Sequence, residues 1–182
     1  MKILNVGVIG YSGNIFKDPI KSLTSMCDEI GKLIAKNGWL LVNGGRDGIM
    51  QLVSKFANNH GGKVIGILPW EQEGNNYLDI SLKTGLDLNM RSFLMLKNVD
   101  IVISIGGEIG TAIEILGAYS YKKPVLLMRN SGGWTDRITN VLIEDKFLDN
   151  RKLVEIKQVF SIEMLEELLK KVEAEVKNNW SE

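Results

Sequence analysis

Five short apolar runs, Leu4 to Ile9, Trp39 to Val42, Val64 to Leu68, Ile101 to Ile105 and Val125 to Met128, show no regular alternation with polar residues. A strand with one wet face alternates, so runs of this kind are buried on both faces, as in a parallel sheet covered by helices on each side. The segments between them have helical period. Ile20, Leu23, Cys27, Ile30 and Ile34 mark one face after Asp18-Pro19, which reads as a cap followed by proline at the first helical position, and Gly38 ends that helix. Asp47 to Asn58 repeats the pattern with Ile49, Leu52, Val53 and Phe56 on one side. Leu88 to Asn98, Thr111 to Tyr121 and Thr135 to Glu144 supply three more helices. Ser161 caps a charged one, Ile162 to Lys177, in which Leu165, Leu168, Leu169 and Val172 face the core. Strands alternating with helices close through right-handed crossovers, which predicts a single α/β domain over 1–182, a doubly wound and mostly parallel sheet flanked by helices.

Composition narrows the function classes. A balance of 22 basic and 22 acidic residues gives no bulk attraction to nucleic acid or an anionic membrane, so neither is expected as a partner. Cys27 and His60 are the single cysteine and histidine, which excludes an intramolecular disulfide and leaves little from which to build a metal site. No run approaches the roughly 18 apolar residues of a membrane span, and glycines break the N-terminal run short of a signal-peptide core. The expectation is a cytoplasmic protein.

In an open parallel sheet, ligands sit beyond the carboxyl ends of the strands, where strand order reverses. Three predicted strands end in glycine-rich corners: Gly10-Tyr11-Ser12-Gly13, Asn43-Gly44-Gly45-Arg46-Asp47-Gly48, and Gly106-Gly107-Glu108-Ile109-Gly110-Thr111. Glycine lets a ligand approach the backbone closely, and the free N–H groups of the following helix attract an anion. The expected ligand is therefore a phosphate-bearing small molecule, such as a nucleotide or phosphate itself, with no other cofactor required. Gly10, Ser12, Gly13, Gly44, Gly45, Arg46, Gly107, Glu108, Gly110 and Thr111 are the candidate contacts. Neither the dinucleotide fingerprint nor a Gly-Lys-Ser/Thr phosphate loop occurs. Tyr11, Asn43, Trp134 and Asp136 are weaker candidates for the same crevice, and His60 reads as a helix end.

Taken together, the corners resemble the LOG-like Rossmann proteins, some of which carry an old "lysine decarboxylase" label. LVNGGRDGIM (Leu41 to Met50) resembles their second-strand glycine segment and VIGILP (Val64 to Pro69) their third strand. Met90-Arg91 and GGEIGTAIE resemble their arginine and their PGGxGTxxE signature, and KPVLLM and GGWTD extend the likeness. TGLDLNMRSFLML and GGWTD look most like a prokaryotic branch near the molybdenum-cofactor carrier proteins.

The resemblance implies hydrolysis of the N-glycosidic bond of nucleoside 5′-monophosphates, with Arg91 and Glu114 in the catalytic positions. The alternative it implies is a non-catalytic carrier of a phosphorylated cofactor such as molybdenum cofactor. Pyridoxal phosphate chemistry has no support in it. A homo-oligomer, dimer or higher, is implied, and the apolar residues of Phe93 to Leu96 and Ile113 to Tyr121 are compatible with one.

Two positions depart from the pattern. Ser92 stands where a lysine often follows the arginine, and the second glycine of Pro-Gly-Gly falls on Glu108. A carboxylate beside a bound phosphate repels it by several kcal/mol at about intermediate dielectric. Either Glu108 turns outward or pairs with Arg46, or it accepts hydrogen bonds from the ligand and changes which ligand is selected, or its role is structural.

Overall fold

The computed structural model describes residues 3–178. Its seven strands are β1 (Asn5–Gly10), β2 (Leu40–Asn43), β3 (Lys63–Leu68), β4 (Ile80–Lys83), β5 (Ile101–Ile105), β6 (Val125–Met128) and β7 (Ile156–Val159). They form one sheet in the order β4-β3-β2-β1-β5-β6-β7. Every pairing is parallel. The chain thus runs outward from β1 to one edge, returns, and lays β5 on the other side of β1. Strand order reverses between β1 and β5.

Helices α1 (Thr24–Lys36), α2 (Gly48–Asn59) and α6 (Ile162–Asn178) cover one face, where Cys27, Ile30, Ile34, Leu52, Val53, Leu165 and Leu169 pack on the inner strands. Helices α3 (Leu88–Lys97) and α4 (Ile109–Ser120), with the short α5 (Gly133–Arg137), cover the other through Met95, Leu96, Ile115, Ala118 and Tyr119. The expected doubly wound α/β architecture is the observed one. α6 starts as predicted, with the Met164 N–H donating to Ser161 Oγ at 3.2 Å. His60 ends α2, as expected.

Three details differ from the expectation. The first helix begins at Thr24, after a 3-10 turn at Lys21–Leu23, rather than at Pro19. Asp18 accepts the hydroxyl of Ser22 instead of capping a helix, although Ile20 and Leu23 still join the buried face. The predicted helix Thr135 to Glu144 is shorter: α5 gives way to a 3-10 turn at Ile138–Val141, and a tight bridge between Ile143 and Phe147 takes the next residues. Finally, β4 and β7 were not expected. Both lie at the edges of the sheet, where one side of a strand can stay wet. ISLK and IKQV therefore lack the unbroken apolar character of the inner strands.

Among the described residues no helix is long and apolar enough to cross a membrane, and no group of side chains could hold a metal ion.

Candidate functional site

A cleft of about 420 Å³ opens at the carboxyl ends of β1 and β5, where the strand order reverses. Seven of the predicted residues line it: Gly10, Ser12, Arg91, Glu108, Gly110, Thr111 and Glu114.

One wall is the corner between β5 and α4. Gly106 and Gly107 take positive φ angles of 60° and 95° there, a left-handed region that favours glycine. The β6–α5 connection braces this corner from behind. The Gly106 N–H donates to Ser131 Oγ at 2.8 Å, and the Gly106 carbonyl accepts the Thr135 hydroxyl at 2.6 Å. The Gly107 carbonyl accepts the Trp134 N–H at 2.8 Å. Asp136 ties the connection itself, accepting the Gly132 N–H at 2.6 Å and pairing with Arg129 at 3.1 Å. Trp134 and Asp136 therefore act as a brace and do not line the cleft.

The start of α4 forms the floor. The Glu108 carbonyl accepts the N–H groups of Thr111 (2.9 Å) and Ala112 (3.2 Å), so those of Ile109 and Gly110 have no carbonyl within the helix to bond. The Thr111 hydroxyl reaches across the switch point to the Gly10 carbonyl at 3.2 Å. Gly110 is informative because its φ is not in the left-handed region and nothing lies within 4 Å of where a Cβ would stand. Neither backbone geometry nor internal packing requires glycine there; the space is open to the cleft.

The opposite wall is α3, whose start is fixed by Asp87. The Asp87 carboxylate accepts the N–H groups of Asn89 and Met90 at 2.8 and 3.0 Å. One turn later Arg91 is only 4% exposed, and its Nε and Nη1 are buried without a hydrogen-bond partner. Gly44 backs the guanidinium: a Cβ there would stand 2.3 Å from Nη1. Ser92, the next residue, donates its hydroxyl to Glu114 Oε1 at 2.7 Å.

Both charged groups carry the mark of burial. Desolvation lowers the pKa of Arg91, opposed by Glu114 and assisted by Arg46. An arginine stays protonated, so this direction records an uncompensated cost of burying the cation. Burial also raises the pKa of Glu114, more than the Ser92 hydrogen bond and Arg91 lower it. Among the described residues no ion pair joins Arg91 to Glu114. A cation that is costly to bury and a carboxyl that resists ionisation therefore line one cavity together.

Glu108 is exposed at the mouth, and its side chain makes no capping bond to α4. Among the described residues it forms no ion pair with Arg46, and it remains part of the cleft lining. Tyr11 feels it nonetheless, its phenol pushed up first by burial and then by the Glu108 charge.

Five predicted contacts do not line the cleft. Gly13 bends the chain at a φ of 125°, Gly107 packs under Thr111, Gly44 seats Arg91, and Gly45 stacks against Gly66 and Leu78. Arg46 opens onto a separate depression beside Gln51 and Gln72. Asn43 is buried and brackets its corner, donating to Ser54 Oγ at 2.9 Å and accepting the Gly45 N–H at 2.8 Å. Conversely, Met50, Leu88, Asn89, Ile109 and Ile113 line the cleft without having been predicted; Ser92, noted only as a departure, does so too. Ordinary apolar helix residues carry no mark in sequence that separates a cleft wall from core.

The SLOG cluster4 family model matches residues 3–163. The chain belongs to the SLOG cluster4 family. The X-ray structure of TM1055, a structural-genomics target, is 54% identical to this SLOG chain with a TM-score of 0.92, covering 93% of this chain and 99% of that one. The molybdenum cofactor binding protein from Rippkaea orientalis is 29% identical with a TM-score of 0.78, covering 94% and 98%. A cytokinin riboside 5′-monophosphate phosphoribohydrolase of Arabidopsis thaliana is 28% identical over 132 residues, which is 66% of this chain. The match spans 62% of that enzyme's length.

Proposed function

We propose that this protein binds a nucleoside 5′-monophosphate in the cleft between α3 and α4 and hydrolyses its N-glycosidic bond, releasing a free base and ribose 5-phosphate. The observation that carries this reading is Arg91, a buried cation that forms no ion pair among the described residues and lines a cavity that also holds Glu114. A phosphorylated ligand supplies the counter-charge, and the free N–H groups at the start of α4 offer it donors. Met50, Leu88, Ile109 and Ile113 give the cleft an apolar side suited to a planar base. As the bond to the base breaks, positive charge develops on the ribose. Glu114, ionised, steadies that charge, takes the proton of the attacking water and returns it to the departing base, the roles carboxylates play in glycoside hydrolysis. No metal or further cofactor enters this scheme.

The test is incubation with a panel of nucleoside 5′-monophosphates, following base and ribose 5-phosphate by chromatography. Equal release of both, abolished in Glu114→Gln, is the expected result. Tight binding without release from any substrate would overturn the hydrolase.

That outcome would favour a second reading, a carrier of a phosphorylated cofactor. It is supported by Glu108, which puts a negative charge where a hydrolase-like corner has glycine, and by the likeness to a molybdenum cofactor binding protein. In either reading we infer a homo-oligomer. Met90 and Leu94 on α3 and Ile109 and Leu116 on α4 are between 40% and 64% exposed, and the two helices that carry them wall the cleft.

A further inference from the structure

Ser92 is 7% exposed, sits one residue beyond Arg91 on α3, and makes the hydrogen bond that reaches the Glu114 carboxylate. Among the described residues no other side chain donates to either Glu114 oxygen. A carboxylate held by nothing turns freely about its last torsion, whose energy is broad and two-fold, and so presents no fixed oxygen to a ligand. We propose that Ser92 is the positioning residue for Glu114: by holding Oε1 it orients the carboxylate and leaves Oε2 as the oxygen available to water and ribose.

The surrounding charges leave this task to the hydroxyl. Arg91 acts on Glu114 only through its field, and Arg46 reaches the pair only by opposing Arg91. Lys97, the other cation on α3, lies over the Tyr121 ring at 5.3 Å. On α5, Asp136 is tied to Arg129 and loop N–H groups, and Arg137 is exposed. Glu108, at the start of α4, is exposed at the mouth of the cleft and makes no hydrogen bond to Glu114. A hydrogen bond to the ionised form favours that form. Ser92 therefore also draws Glu114 toward the charged state that burial resists.

The proposal rests on the reading that Glu114 faces the ligand, and its test is chosen to survive failure of the hydrolase. The protein is labelled with carbon-13 at the glutamate carboxyls, and the Glu114 signal is identified by its loss in Glu114→Gln. Its titration is then followed in the wild type, Ser92→Ala and Ser92→Thr. The midpoint should rise in Ser92→Ala and return to the wild-type position in Ser92→Thr, which restores the hydroxyl. With a nucleoside 5′-monophosphate as substrate, kcat should fall at least about tenfold in Ser92→Ala, the lower end of the effect of one lost hydrogen bond to a charged group. KM should change little, and the acidic limb of the pH profile should follow the carboxyl midpoint. An unmoved midpoint in Ser92→Ala, or an equal rise in Ser92→Thr, overturns the proposal. If the wild type releases no base, the hydrolase reading falls while the titration still decides the role of Ser92.

Discussion

Arg91 and Glu114 are each buried at a cost that the other does not remove. For Glu114 the sign can be worked out. Its folded-state pKa is raised by burial, so the folded protein holds the proton more tightly than the unfolded chain. Stability therefore falls as pH rises from the ordinary carboxylate value through the raised one, and the full penalty applies above it. Glu114→Gln should match the wild type in Tm near about pH 4 and exceed it near about pH 8, by roughly 2–4 °C if the penalty is about 1 kcal/mol. A thermal scan at both values checks this. Gly110 makes the converse case. Gly110→Ala meets no atom within 4 Å and removes a glycine from a helix, so Tm should rise slightly, by the equivalent of about 0.5–1 kcal/mol, while ligand affinity drops. Calorimetric titration with AMP measures the second effect, and an unchanged affinity would mean that no ligand passes over Gly110. The glycine corner already pointed to Gly110, and the family resemblance to Arg91 and Glu114. It did not point to Gly44 as the seat of the guanidinium or to Ser92 as the partner of Glu114. Those roles come from contacts between residues 47 and 22 positions apart, which no local spacing records.

At the scale of elements, α3 carries the cation and its position depends on a cap. Asp87→Ala should cost about 1 kcal/mol, a Tm loss of roughly 2–4 °C, with Asp87→Ser recovering most of it. Because Arg91 lies one turn from that cap, AMP affinity should fall in the alanine variant by more than thermal destabilisation explains. Binding measured well below Tm separates the two. The inner strands and five of the six helices, the first of them apart from its start, were legible because burial on both faces, or on one helical stripe, leaves a periodic record. The edge strands β4 and β7 were not. β4 is exposed along its whole length, with Ile80 and Leu82 about half exposed, and it is fastened by Asp79, which accepts the Val64 N–H at 2.9 Å and pairs with Lys63 at 2.9 Å. A strand held by such contacts has no need of an apolar run. The shortened α5 is the same lesson in reverse: Thr135 follows a helical pattern, yet its bonds to Gly106 and Ser104 draw the segment into bracing the β5 corner.

For the whole molecule, the order of strands sets the site. Because β5 returns beside β1, the first and third glycine corners meet, and the second, at the end of β2, stands behind Arg91 and not in the cleft. The sequence showed three corners; only the topology shows which two converge. The exposed apolar residues of α3 and α4 carry a further prediction. Leu116→Glu and Leu94→Glu, which do not line the cleft, should lower the solution mass measured by light scattering, whereas an unchanged mass would refute the homo-oligomer built on this face. The claim common to both functional readings is that Arg91 receives a phosphate. It is tested most directly by titrating AMP and adenosine into the wild type and into Arg91→Met, whose apolar side chain keeps most of the volume without leaving a buried charge. The account predicts that AMP binds the wild type far more tightly than adenosine does, and that Arg91→Met loses at least about tenfold in AMP affinity with no loss of Tm. Equal affinities for AMP and adenosine, or an AMP affinity untouched by Arg91→Met, would contradict it.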